Sequence, residues 1–191
     1  MARASAETAA QTARQVLAAA TELFAGHGYA GVSLDDIARA AGVTRGAVYH
    51  HYGSKAGLFR AVAAELQTDV AAAVATAGQA GDDAVAQLRA GSHAFLDAIT
   101  AAPAVRVLLL DAPAVMGWAQ WRELDTAGSV RHLRQALAGV GVAADMLDAM
   151  TAHLSGAMNE AALWLAEQPP GSSARDACHR ALDRVLQAVV A

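Results

Sequence analysis

The stretch from Ser33 to Lys55 constrains this chain more than any other, because helix-start and helix-stop signals alternate along it at close range. Ser33 has the chemistry of an N-cap, with Asp36 three residues on as a capping-box acid and Val32 and Ile37 at the two hydrophobic-staple positions. Gly42 suits the left-handed residue that ends a helix, and Thr44 suits the N-cap of the next one. Gly53-Ser54 then interrupts the pattern again. The spacing predicts a short second helix running to about Ala41 and a third over about Arg45 to His51. Upstream, Val16, Leu17, Ala20, Leu23 and Phe24 recur on one helical face, which predicts a first helix over Thr8 to Gly26, ended by Gly26-His27-Gly28.

Two short helices joined by a tight turn and packed on a longer first helix form a helix-turn-helix unit. In such a unit the second helix braces the phosphate backbone and the third lies in the major groove, where the base edges of all four base pairs are distinguishable. The residues of the third helix suit that role. Thr44 and Arg45 stand at its N-terminus, where backbone amides and a partial positive charge favour phosphate. Gly46 and Ala47 allow close approach. Tyr49, His50, His51, Tyr52 and Lys55 offer hydroxyls, imidazoles and an ammonium to backbone and bases, and Ser33 marks the start of the bracing helix. Val43, Val48, Ile37 and Phe24 are expected in the core. Tyr52 suits interhelical packing as well as DNA contact, and His50 suits a solvated surface.

The rest of the chain is expected to be helical too. Alanine, the best helix former, supplies 52 of the 191 residues against only 4 prolines. Leu58, Phe59, Val62, Leu66, Val70 and Val74 predict a long fourth helix ended by Gly78 to Gly81. A fifth helix follows from Val85, Leu88, Phe95, Leu96 and Ile99, a sixth runs from Pro103 to about Leu110, and a seventh covers Trp118 to Leu137 beyond a break at Pro113. Met146, Met150, Leu154, Met158, Ala161 and Leu165 stripe an eighth; after a loop at Pro169-Pro170-Gly171, Leu182, Val185, Leu186 and Val189 stripe a ninth. The expectation is an all-α chain of about nine helices, with the helix-turn-helix unit in residues 1–55 and a second helical domain in residues 56–191.

The run Phe24, Gly28-Tyr29, Ser33, Ile37-Ala38, Ala41-Gly42-Val43-Thr44, Gly46, Val48-Tyr49, His51-Tyr52, Ser54-Lys55 and Leu58 resembles the N-terminal domain of the TetR (tetracycline repressor) family of bacterial transcription regulators. The family often has Phe where this chain has Tyr52 and Glu where it has Ala56; losing that Glu weakens capping of the fourth helix. By this resemblance Thr44, Arg45, Tyr49, His51 and Lys55 are the foremost DNA contacts. The resemblance further implies a C-terminal ligand-binding and dimerisation domain, a homodimer through the last two helices, a palindromic double-stranded operator, and a small-molecule effector that releases a repressor from DNA. Two other readings stay open at this level: a ligand-independent DNA-binding regulator or activator, and a helical interaction module that binds no DNA.

Charge and chemistry narrow the alternatives. Residues 1–60 carry a formal +2 and residues 61–191 carry −6, which suits a basic contact surface confined to the N-terminal part. Cys178 is the only cysteine, so an intramolecular disulfide and a multi-thiolate zinc site are excluded, and a reducing cytoplasm fits. The apolar stretch from Ala101 to Trp121 is broken by Pro103, Arg106, Asp111 and Pro113, short of a membrane span, and the first 25 residues lack a signal-peptide core. No cofactor, metal or catalytic pattern is expected: HExxH, GxSxG and phosphate-cradling glycine loops are missing, and Asp35-Asp36 and Asp82-Asp83 suit helix starts. For a mostly apolar ligand the suggestive residues are His93, Met116, Trp118 and Trp121, then Met150, His153, Met158, Asn159 and Trp164. Of these, Trp118, Trp121, His93 and Met158 are favoured.

Overall fold

Both helix starts anticipated in the N-terminal third carry their caps in the computed structural model, which describes residues 2–169 and 171–190, with side chains from Glu7 onward. Ser33 Oγ accepts from the Asp36 amide at 3.1 Å and the Asp36 carboxylate accepts from the Ser33 amide at 3.1 Å, closing the capping box. The Ser33 hydroxyl, which also donates to the Asp36 carboxylate, and then the Ser33 amide hold that carboxyl below the usual carboxylate range. Thr44 Oγ1 caps the next helix through the Ala47 amide at 3.2 Å, and Gly42 takes φ +67°, a left-handed turn that a β-carbon would disfavour.

Nine helical runs are present among the described residues, and no strand. The first four are α1 (Ala2–His27), α2 (Leu34–Ala40), α3 (Arg45–Tyr52) and α4 (Lys55–Gln79), followed by α5 (Ala84–Thr100). Run α6 begins as a π-helical segment, Val105–Asp111, and continues as Ala112–Met116. Run α7 comprises Trp118–Asp125, a π-helical Thr126–Val130 and Arg131–Gly139. The chain ends with α8 (Leu147–Ala166) and α9 (Ala174–Val189). Pro170 of the anticipated loop lies outside the described residues.

Two boundaries differ clearly from those expected: α1 starts at Ala2, six residues before Thr8, and the sixth run extends to Met116 rather than ending near Leu110. Pro113 does not break the chain direction; the break falls four residues later at Gly117, with φ +82°. Proline has no amide to donate and crowds the carbonyl four residues before it. Here it occupies the first turn of Ala112–Met116, directly after a π-helical segment whose carbonyls bond one residue farther along, as in the Ala112 amide to the Val107 carbonyl. Proline is tolerated there for the same reason that it is tolerated at any helix start.

Phe24 of α1 and Phe59 of α4 meet edge to face at 5.2 Å between ring centroids, with Tyr29 completing the cluster at 5.1 Å from Phe59. Val16, Ile37, Val48 and Leu58 are fully buried around it. Tyr52 closes α3 onto α1 by donating its hydroxyl to the Ala13 carbonyl at 2.8 Å. Helix α4 leaves this unit and packs along α5, α6 and α7, while α5 also packs on α7, α8 and α9. Helices α5 and α6 are bent by 87° to each other, and no single helix among the described residues is long and apolar enough to cross a membrane.

A buried polar cluster sits where α7 kinks. Gly128 departs from helical geometry (φ −95°, ψ −118°), and a β-carbon there would lie 3.0 Å from Gln67 Cγ of α4. The Gln67 amide donates to Asp125 Oδ1 at 3.2 Å and to Ser129 Oγ at 3.3 Å, and Arg122 reaches Asp125 Oδ2 at 3.1 Å. Burial pushes the Asp125 carboxyl up, opposed by Arg122 and by hydrogen bonds from Gln67, Asn159 and Ser129.

Candidate nucleic-acid interface and effector cavity

Helix α3 buries Val48 and turns its other side outward. Thr44, Arg45, Gly46, Tyr49 and His50 are exposed, and Tyr49 is 63% exposed, a large aromatic ring left in solvent. Gly46 has no atom nearer than 3.8 Å to where a β-carbon would stand, so its surroundings are open. Arg45 pairs with Asp35 of α2 at 2.9 Å, which braces the guanidinium beside the helix start without burying it. Lys55 holds its ammonium 4.2 Å from the Tyr29 ring centre, a cation–π contact at the start of α4.

The structure separates the remaining residues of the motif by role. Ser33 is committed to its capping box and Tyr52 to α1; partial burial, and secondarily the charge of Glu65, push the Tyr52 phenol up. His51 is half-buried, with its ring 5.5 Å from that of His50 and 6.3 Å from that of Tyr52. Ala47 is half-buried as well.

A second feature lies between α4, α5, α7 and α8: a cavity of about 530 Å³. Its wall includes Val74, Leu88, Phe95, Leu133 and Met158, with polar atoms from Ser92, Gln87, Ser129, His132 and Ser155. Among the described residues no Asp, Glu, Lys or Arg lines it. Ser129 belongs both to this wall and to the Gln67–Asp125 cluster that fastens α7 to α4.

Of the residues singled out for a ligand, Met158 alone lies on this wall. Trp121 is buried against α6, its indole N–H donating to the Leu108 carbonyl at 2.7 Å, and Trp118 rests on it while remaining 66% exposed. Met116 and Met150 are half-buried against the core, His153 and Trp164 are exposed, and Asn159 hydrogen-bonds Asp125. His93 faces α9, where its ring stacks on His179 at 4.7 Å and their Nδ1 atoms hydrogen-bond each other. Asp183 accepts from His93 Nε2 at 2.7 Å, Asp97 accepts from His179 Nε2 at 2.9 Å, and Arg89 and Arg175 brace the two carboxylates. Hydrogen bonds from Arg89 and then His93 lower the Asp183 carboxyl to about 2. This clasp ties α5 to the last helix.

The wall residues that the sequence did not point to, Ser92, Gln87, Phe95, Leu133 and Ser155 above all, are ordinary helix residues in sequence. Their common property is the direction they face once four helices meet, which helical periodicity alone does not encode.

The fold and the outward α3 define the class: an all-helical protein with an N-terminal helix-turn-helix unit and a larger helical body. Two family models match, "Bacterial regulatory proteins, tetR family" over residues 16–62 and "Tetracyclin repressor-like, C-terminal domain" over residues 85–189. The chain belongs to the TetR family of bacterial transcription regulators. It is 46% identical over 67 residues, 35% of this chain, to the HTH-type transcriptional regulator SrpR of Pseudomonas putida. That matched segment spans 32% of SrpR, and a similar match spans 50% of TtgW from the same species. A TetR-family regulator from Pectobacterium atrosepticum superposes with a TM-score of 0.76 at 28% identity, covering 96% of both chains. A TetR-family regulator from Streptomyces coelicolor shares the fold, with a TM-score of 0.77 at 24% identity over 95% of this chain and 97% of that one. The family and these relatives are transcription regulators, not enzymes.

Proposed function

We propose that this protein is a cytoplasmic homodimeric regulator, a repressor, that reads a two-fold symmetric operator with α3 and leaves it when a small, mostly apolar molecule fills the cavity between α4, α5, α7 and α8. The observation that carries the DNA part is the outward side of α3: Thr44, Arg45, Gly46 and Tyr49 are exposed together at a capped helix start, with Val48 anchoring the opposite side. Thr44, Arg45 and Lys55 supply phosphate contacts, while Gly46, Ala47, Tyr49, His50 and His51 face the groove. Ser33 and Tyr52 act by positioning.

Dimerisation is assigned to the exposed sides of α8 and α9. Ala149, Ala152, Gly156 and Ala157 on α8 are small and exposed, with Ala181, Val185 and Ala188 exposed on α9. Small residues let a second copy of these helices approach closely, and a two-fold axis there would repeat α3 at a spacing of about 34–36 Å, one turn of DNA. The cavity and the DNA unit share α4: Val74 and Ala75 line the cavity, and Phe59 of the same helix stands in the α1–α4 core. A ligand that prefers one spacing of the two α3 helices shifts operator affinity by about 5 to 150-fold, the usual size of such coupling.

The test is selection of duplexes from a random pool with the purified protein. The expected result is a palindrome whose half-site centres are about 10 bp or a multiple of that apart. A pool that stays random after repeated rounds would overturn the reading, and sedimentation showing only monomer at micromolar concentration would overturn the dimer.

A further inference from the structure

Ser92 is 3% exposed, stands on the cavity wall in α5, and its hydroxyl is the one buried side-chain polar atom among the described residues with no hydrogen-bond partner. Buried hydroxyls are nearly always bonded, because leaving one unpaired forfeits its hydration with nothing in return. A serine within a helix has a local remedy, a bond to the carbonyl four residues back, and Ser92 does not make it. Two other polar residues of the wall are engaged elsewhere: Ser129 accepts from Gln67, and Gln87 donates to the Gly81 carbonyl at 3.2 Å.

The rest of the wall is apolar or uncharged. Val74, Leu88, Phe95, Leu133 and Met158 would cover a hydrocarbon body, and no Asp, Glu, Lys or Arg among the described residues reaches the cavity. An ionised head group carried in to the buried Ser92 would sit there without a counter-charge, a heavy penalty away from water. His132, half-buried on the α7 wall, is the one titratable side chain lining the cavity among the described residues.

We propose that the cavity selects uncharged amphiphiles, an apolar body carrying one hydroxyl or carbonyl group, and that Ser92 is the residue that hydrogen-bonds this group. The inference rests on the reading of the cavity as the effector site, and adds to it the ligand's charge and the anchoring residue. A hydroxyl both donates and accepts, so Ser92 accommodates an alcohol or a ketone. An alkane of the same length would leave it unpaired.

Three probes with one chain length separate the possibilities: 1-decanol, decanoate and decylammonium, titrated calorimetrically into the full-length protein at pH 8, above the ordinary imidazole range. The expected result is decanol binding at least about tenfold tighter than either ion. Ser92→Ala should weaken decanol by about five- to tenfold without lowering the thermal midpoint of the ligand-free protein, since it removes a hydroxyl that has no partner. His132→Gln should leave decanol affinity within about twofold. Ala136→Trp and, from the α4 wall, Ala75→Trp fill the cavity and should abolish decanol binding.

Equal binding of decanol and either ion, no decanol binding to the unaltered protein, or an unchanged decanol affinity in Ser92→Ala overturns the proposal. In the first and third cases the cavity reading survives if the filled variants lose binding. Decanol binding that persists in a folded filled variant overturns the cavity reading itself.

Discussion

The N-terminal unit and the helical body are built from the same helix-forming residues, yet they encode their functions differently. In residues 33–58 each boundary is written locally: Ser33 and Asp36 cap each other, Gly42 turns left-handed, Thr44 caps α3, and Ser54 accepts from the Gly57 amide at 2.9 Å. The side chains proposed to meet DNA follow directly from that phasing, because a short capped helix with one buried residue, Val48, has only one way to face. In the body the candidate site is a space between four helices, and a space has no local code.

The largest expected effect attacks the core on which the N-terminal phasing rests. Phe24→Ala empties the centre of the aromatic cluster and should destabilise the protein by about 3–5 kcal/mol, read by denaturant unfolding. Should the N-terminal unit be merely a local arrangement of caps, that loss would be well under 1 kcal/mol.

Arg45→Ala and Tyr49→Ala sharpen the comparison by touching function alone. Both side chains are exposed, so the thermal midpoint should hold while affinity for the selected duplex falls by about 1–3 kcal/mol each. A smaller effect comes from Ser33→Ala, which removes one half of the capping box and should cost about 1 kcal/mol of stability, with a matching loss of DNA affinity only where α2 frays.

The smallest effect lies in the body, at the clasp between α5 and α9. The Asp183 carboxyl titrates at about 2 in the folded protein against an ordinary 3.8, so its contribution is present above 3.8 and is lost as pH falls through 2. Asp183→Asn should therefore lower stability by about 1 kcal/mol or less at pH 7, once solvent screening is allowed for. The gap between variant and parent should close between pH 4 and pH 2, as followed by urea unfolding. A gap that stays constant across that range would place the effect in packing.

The nine helices and the helix-turn-helix unit were legible in the sequence because caps, glycines and apolar spacing act within a few residues. Legibility failed where tertiary packing decides. Pro113 reads as a break, yet the π-helical segment before it turns it into a helix start, and Gly117 makes the break. His93, Trp118 and Trp121 are conspicuous in the sequence as rare, chemically rich residues. The folded chain uses His93 in a clasp and Trp121 to hold α6, and leaves Trp118 in solvent. Ser92 is one serine among many in sequence; only the wall around it and its missing partner distinguish it.

The central claim is that α3 reads DNA. Its most direct test is fluorescence anisotropy of the selected duplex and a scrambled duplex across a series of salt concentrations, with the parent protein and an Arg45→Ala/Tyr49→Ala double variant. Binding of the parent should saturate and resist the scrambled competitor, and the double variant should bind at least about tenfold more weakly, with a salt slope shallower by about 1 for the lost Arg45 contact. Equal affinity and an equal salt slope for parent and variant would contradict it.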